Sequence, residues 1–121
     1  MLLNLYLWHI KHTIEAAILL ANKGYKVILK DEAGQITTPD GYIFSASFEQ
    51  KTPTQTSVKN ALEHAREQKA EIALIYDKHH IYHKADIDKG IKDYEAKNLH
   101  RFKQIIVVTK DVKIHRHKHN V

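Results

Sequence analysis

The 121-residue chain contains no cysteine, which excludes a disulfide-held fold, a cysteine nucleophile and a cysteine-ligated zinc site. It has only two prolines, Pro39 and Pro53, and they bracket a short stretch rather than mark a linker. With no internal repeat and no low-complexity segment, residues 1–121 read as a single domain. A long hydrophobic run is also missing. The most apolar stretch, Met1 to Ile10, is about half the length a bilayer crossing requires, with no basic residues before it and no small-residue cleavage site. Neither a membrane span nor a signal peptide is expected. Residues 1–11 read instead as an apolar core or interface segment, in a protein expected to be cytoplasmic. What is present is a modest excess of positive charge, 19 Lys and Arg against 14 Asp and Glu, for a net charge of +5 with ten histidines in addition. That balance favours a polyanionic partner, nucleic acid first among them.

Periodicity supplies the elements. Ile14, Ala17, Ile18 and Ala21 recur at helical spacing, with Thr13 placed to cap and Gly24 to stop, which predicts a first helix over 13–22. Tyr25 to Leu29 reads as a strand leading into a polar turn at Lys30 to Gly34. Tyr42-Ile43-Phe44 and Phe48 to Lys51, separated by the small residues Ser45, Ala46 and Ser47, suit a hairpin. Ser57 to Lys69 sets Val58, Ala61, Leu62 and Ala65 on one helical face, with Ser57 as cap and a basic opposite side. The runs Glu71 to Tyr76 and Ile105 to Val108 read as buried strands. Between them Ile87, Ile91 and Tyr94 mark a helix over 85–97, and 111–115 reads as a short terminal strand. The alternation predicts an α/β/α sandwich around a mixed β-sheet.

Chemistry concentrates between Pro39 and Lys51. In a strand, residues two apart share a face, so Glu49 and Lys51 project together while Phe48 and Gln50 point the other way, and a hairpin brings Asp40 beside them. Two carboxylates at one point are costly unless a cation joins them. A hard divalent ion is the common solution, Mg²⁺ first, with Mn²⁺ or Zn²⁺ as alternatives. Asp40 and Glu49 would hold it, and Lys51 would orient a water or meet charge developing on a phosphate.

Pro39-Asp40 followed by Glu49-Gln50-Lys51 resembles the PD-(D/E)XK nuclease superfamily. More narrowly, Leu20 to Val27, Pro39-Asp40-Gly41, Phe48 to Pro53 and Ser57 to Leu62 are similar to C-terminal toxin domains of contact-dependent growth inhibition systems that act as tRNA nucleases. The resemblance spans roughly residues 12–115. It implies a restriction-endonuclease-like core and a metal-dependent endonuclease acting on RNA, tRNA before DNA, with an immunity protein as partner. By position it assigns Glu15 of the first helix to the catalytic set with Asp40, Glu49 and Lys51, and makes Thr52, Thr54 and Lys59 candidates for contacting substrate.

Each feature has a plainer reading. Pro39-Asp40-Gly41 is a common turn composition, Glu49 and Lys51 make an ordinary strand-face ion pair, and Glu15 suits an exposed helix position. Histidines offer a rival chemistry: His79, His80 and His83, or His115, His117 and His119, would serve as metal ligands, and His79, His80 or the terminal histidines as the acid and base of a metal-independent ribonuclease. Residues 116–121 otherwise read as a mobile basic, His-rich tail. A third possibility is a non-catalytic module binding nucleic acid or protein through the basic second helix. The apolar N-terminal segment would in addition suit a homodimer contact.

Overall fold

The computed structural model describes residues 2–30 and 39–119. The expected turn at 31–34, together with Thr38 and residues 120–121 of the tail, lies outside that range. In chain order the elements are α1 (Leu2–Asn22), β1 (Val27–Leu29), β2 (Gly41–Ile43), β3 (Ala46–Lys51), α2 (Val58–Arg66), β4 (Ile72–Asp77), α3 (Lys84–Lys97), β5 (Gln104–Thr109) and β6 (Ile114–Lys118). The strands form one six-stranded sheet in the order β1-β2-β3-β4-β5-β6. β1, β2 and β3 run antiparallel, β3, β4 and β5 run parallel, and β6 returns antiparallel on β5.

Side-chain alternation along the parallel strands divides the core into two layers. Ile72, Leu74 and Tyr76 of β4, with Ile106 and Val108 of β5 and Phe48 of β3, pack with Ala16 and Leu20 of α1. Ala73 and Ile75, with Ile105 and Val107, pack on the other face with Val58, Ala61 and Leu62 of α2 and Ile87, Ile91 and Tyr94 of α3. The result is the α/β/α sandwich around a mixed sheet that the alternation of elements predicts. The Ser57 hydroxyl caps α2 by accepting from the Asn60 N–H.

Helix α1 departs from expectation in two respects. It begins at Leu2 rather than Thr13, because no glycine or proline interrupts residues 2–13 and the apolar segment simply continues the helix. Thr13 is therefore interior. Its hydroxyl lies 2.9 Å from the His9 carbonyl oxygen and 2.8 Å from Gln50 Oε1 on β3, with one hydrogen to share between the two acceptors. The buried stripe is also rotated. His12, Thr13, Ala16, Ala17 and Leu20 face inward, while Ile14 is 42% and Ile18 55% exposed. Alanines permit close approach to the sheet, and the two polar residues find partners there, so hydrophobicity alone does not select the inward face.

The hairpin turn is tighter than expected. Phe44 (φ 47°) and Ser45 (φ 73°) form a two-residue turn with both residues left-handed, and Ala46 and Ser47 already belong to β3. The chain beyond His115, expected as a mobile tail, is paired through Lys118. Arg116 donates to Gln104 Oε1 at 2.6 Å and lies over the Tyr25 ring, while His115 and His117 face Asp88 and Glu95 of α3 at 3.4 and 3.6 Å. No described helix is long and apolar enough to cross a membrane.

Candidate active site

The end of β3 and the start of β2 set the frame. Register pairs Gly41 with Phe48, so Asp40, one residue earlier, is carried towards Glu49. The approach depends on Gly41, where a Cβ would meet the Ile28 carbonyl oxygen at 2.1 Å. Glycine in Pro39-Asp40-Gly41 thus serves strand packing in β2 rather than a turn. Backbone holds the aspartate: the Gln50 N–H donates to Asp40 Oδ2 at 2.7 Å, and the Asp40 N–H donates to the Phe48 carbonyl at 2.9 Å.

Asp40 and Glu49 are 3% and 4% exposed, and a third ligand-type group joins them from α1. His9 Nε2 donates to Asp40 Oδ1 at 2.8 Å, and one ligand atom each from His9, Asp40 and Glu49 lie within 4.8 Å of one another. Lys51 Nζ stands 3.2 Å from Glu49 Oε2. The other oxygen, Glu49 Oε1, is buried without a hydrogen-bond partner. An unpartnered carboxylate oxygen costs free energy that a cation would recover.

Electrostatics agree with that reading. Burial, together with the neighbouring Asp40 charge, pushes the Glu49 carboxyl up to about 7, against the opposing pull of Lys51 and His9. Burial works against a charged His9 ring. The Asp40 hydrogen bond and the Asp40 and Glu49 charges outweigh it and hold the imidazole above its ordinary value. A buried carboxylate raised by burial and by a neighbouring carboxylate marks a site short of positive charge.

A groove of about 490 Å³ opens beside the cluster, lined by Trp8, His9, Lys51, Thr52, Thr54 and His64 among others. Thr52 and Thr54 thus line the groove beside the cluster, with the Thr52 hydroxyl bonded to the Gln50 amide. Lys59 does not line this groove. It pairs with Glu63 at 3.4 Å and borders a separate depression with Asp86 and Asp93. Glu15 is also elsewhere, held at 3.1 Å by Lys78 and close to His12. On a helix six residues from His9, it falls about 120° away around the axis.

The histidine clusters are likewise apart from the cluster and its groove. His80 faces Asp111 at 3.8 Å, and the His83 N–H donates to Asp86 at the start of α3. Among the described residues, the metal-competent group is His9, Asp40 and Glu49. His9 was hidden in the apolar run. Its signal was spacing: His9, Thr13, Ala16 and Leu20 lie at i, i+4, i+7 and i+11, one continuous inward stripe.

No family model matches the chain, and no curated protein matches it. Among solved structures, it is similar to a chain of the CdiA-CT/CdiI toxin and immunity complex from Burkholderia pseudomallei. The two share 24% identity over 90% of this chain and 83% of the other, with a TM-score of 0.69. At that identity the likeness is one of fold.

Proposed function

We propose that this chain is a metal-dependent nuclease that hydrolyses phosphodiester bonds in RNA, with tRNA the leading substrate, and that it acts as a growth-inhibition toxin paired with an immunity protein. The observation that carries the chemistry is the buried Asp40–Glu49 pair, with one unpartnered Glu49 oxygen and Lys51 at 3.2 Å. The toxin and immunity roles rest on the fold shared with the Burkholderia pseudomallei complex and on the sequence resemblance.

The donor set fits a divalent ion: two carboxylates suit Mg²⁺ or Mn²⁺, and the added imidazole of His9 favours Mn²⁺ or Zn²⁺ over a purely oxygen-ligated ion. Such an ion would supply positive charge to the phosphate and acidify a bound water. The remaining roles belong to the protein. The Gln50 N–H fixes Asp40, His9 orients its other oxygen, and Lys51, 3.2 Å from Glu49, would orient the attacking water or neutralise charge on the phosphate. The basic balance of the chain draws in the polyanion.

The test is cleavage of total tRNA and plasmid DNA with Mg²⁺, Mn²⁺, Zn²⁺ or EDTA. Expected is metal-dependent cutting of tRNA that falls at least about a hundredfold in Glu49→Gln and in Lys51→Ala. Intact nucleic acid under every metal, or full activity in both variants, overturns the reading.

A second reading follows from His9. An imidazole held above its ordinary value and bonded to a carboxylate suits general acid–base cleavage through the RNA 2′-OH without metal. Cleavage that survives EDTA and leaves a cyclic phosphate would select it.

A further inference from the structure

Trp8 is out of place for a core residue. It is 41% exposed, stands next to His9 of the carboxylate cluster, and lines the groove that also includes His9 and Lys51. Its ring is nevertheless held in position. The His12 ring lies against it at 4.1 Å between centroids, and His12 is itself fixed: Nδ1–H donates to the Trp8 carbonyl at 2.6 Å, and Nε2 accepts from Lys78 at 3.1 Å. A large aromatic ring, backed by one buried imidazole and presented to a groove, is a stacking platform rather than a packing element.

The rest of the groove has the matching chemistry. Thr52, Thr54, Gln55 and Thr56 offer hydroxyl, amide and backbone groups for the polar edges of a base, with Pro53 as an apolar surface. At about 490 Å³ the groove is in the ~300–1,000 Å³ range of sites that enclose a small organic molecule, which gives room for a base and its sugar. His9 and Lys51 belong both to the groove and to the carboxylate cluster, so a nucleotide seated there would lie next to that cluster. In continuous duplex both faces of a base are covered by its neighbours, and only a base outside the stack can use such a platform.

We propose that the groove seats an unpaired nucleotide whose base stacks on Trp8, so that the substrate class is single-stranded or looped nucleic acid rather than continuous duplex. The inference deepens the phosphodiesterase reading of the same site and rests on it for the identity of the polyanion.

Trp8 is the single tryptophan of the chain, so indole emission reports on this position alone. The test uses full-length Glu49→Gln protein, titrated with a single-stranded RNA oligomer, a hairpin whose loop carries the same bases, and a blunt duplex. Anisotropy of labelled oligomer is read alongside the emission. Expected is saturable quenching by the first two, with duplex binding at least about fivefold weaker. Trp8→Leu in the same background should weaken single-strand binding at least about fivefold by anisotropy, with Trp8→Phe intermediate and both variants keeping the parent's circular dichroism. If Trp8→Leu fails to fold, the quenching and the strand preference of the parent decide alone. Equal affinity for duplex and single strand, binding without quenching, or no binding at all overturns the proposal. Cleavage by wild type is scored separately. Strand-selective quenching without turnover removes the nuclease reading and keeps the nucleotide seat. Turnover of duplex and single strand alike, indifferent to Trp8→Leu, does the reverse.

Discussion

At the scale of single residues, Glu49 carries the greatest consequence. Its carboxyl is raised from 4.5 to about 7, so between those values the unfolded chain has lost a proton that the native protein keeps. Stability then falls as pH rises through that window. His9, also raised, adds in the same direction: its contribution is present below its ordinary 6.5 and is lost as pH climbs through the higher native value. The metal-free protein in EDTA should therefore melt at a lower temperature at neutral than at mildly acidic pH. Glu49→Gln should flatten that slope, and a saturating divalent ion should raise the neutral melting temperature by several degrees, as any ligand of the native state does. A pH-independent melting temperature in wild type would show that Glu49 is not held protonated. Buried Asp77 makes a useful contrast, since its carboxylate accepts from the Ile81 and Tyr82 N–H groups at 2.9 and 3.1 Å. Satisfied from within, it shapes the turn after β4 and leaves no donor sought.

At the scale of elements, the hairpin β2–β3 and its neighbour β1 decide whether Asp40 reaches Glu49. Gly41→Ala would drive a methyl group into the Ile28 carbonyl. The expected cost is about 1–3 kcal/mol with activity lost beyond what stability explains, since Asp40 moves with the strand. Chemical denaturation and cleavage rates, measured together, check it. The turn itself is strained the other way. Phe44 and Ser45 hold positive φ without being glycine, with the Phe44 N–H donating to the Lys26 carbonyl and its ring against Tyr25. Ser45→Gly should stabilise the protein by about 0.5–1 kcal/mol, read as a higher denaturation midpoint with cleavage unchanged. Gly90 marks a second close approach, where a Cβ would come within 2.5 Å of the Val58 Cβ, and it sets the spacing of α2 against α3.

At the scale of the whole molecule, the sandwich leaves an uneven surface. Leu7, Ile14 and Ile18 on α1, with Ile28 and Leu29 on β1 and Tyr42 on β2, are exposed apolar side chains. An apolar surface of that kind promotes association. Ile18→Lys should lower light scattering at high protein concentration, with the fold intact by circular dichroism. Unchanged scattering would mean that Ile18 contributes nothing to association. The basic balance acts over longer range. With a net charge of +5, affinity for RNA should fall steeply and log-linearly with salt, and a salt-indifferent interaction would point away from phosphate contacts.

Local pattern determined the order of elements, because apolar spacing of 3.6 or 2 is imposed by each element's own geometry and survives without knowledge of its neighbours. Helices α2 and α3, the buried strands β4 and β5, and the face shared by Glu49 and Lys51 were legible for that reason. So was the sandwich, which follows from alternating helices and strands. Tertiary structure alone decided which stripe of α1 faces inward, since Thr13 and His12 are buried only because Gln50 and Lys78 receive them from β3 and the turn after β4. It decided how far the terminal strand runs: β6 continues past His115 to Lys118, where alternating His, Arg and Lys carry no apolar signal. It also brought His9 to Asp40, 31 residues apart, while leaving Glu15 with Lys78 and Lys59 with Glu63. Sequence records the period of each element, whereas a site made from three elements depends on how they are rotated and packed.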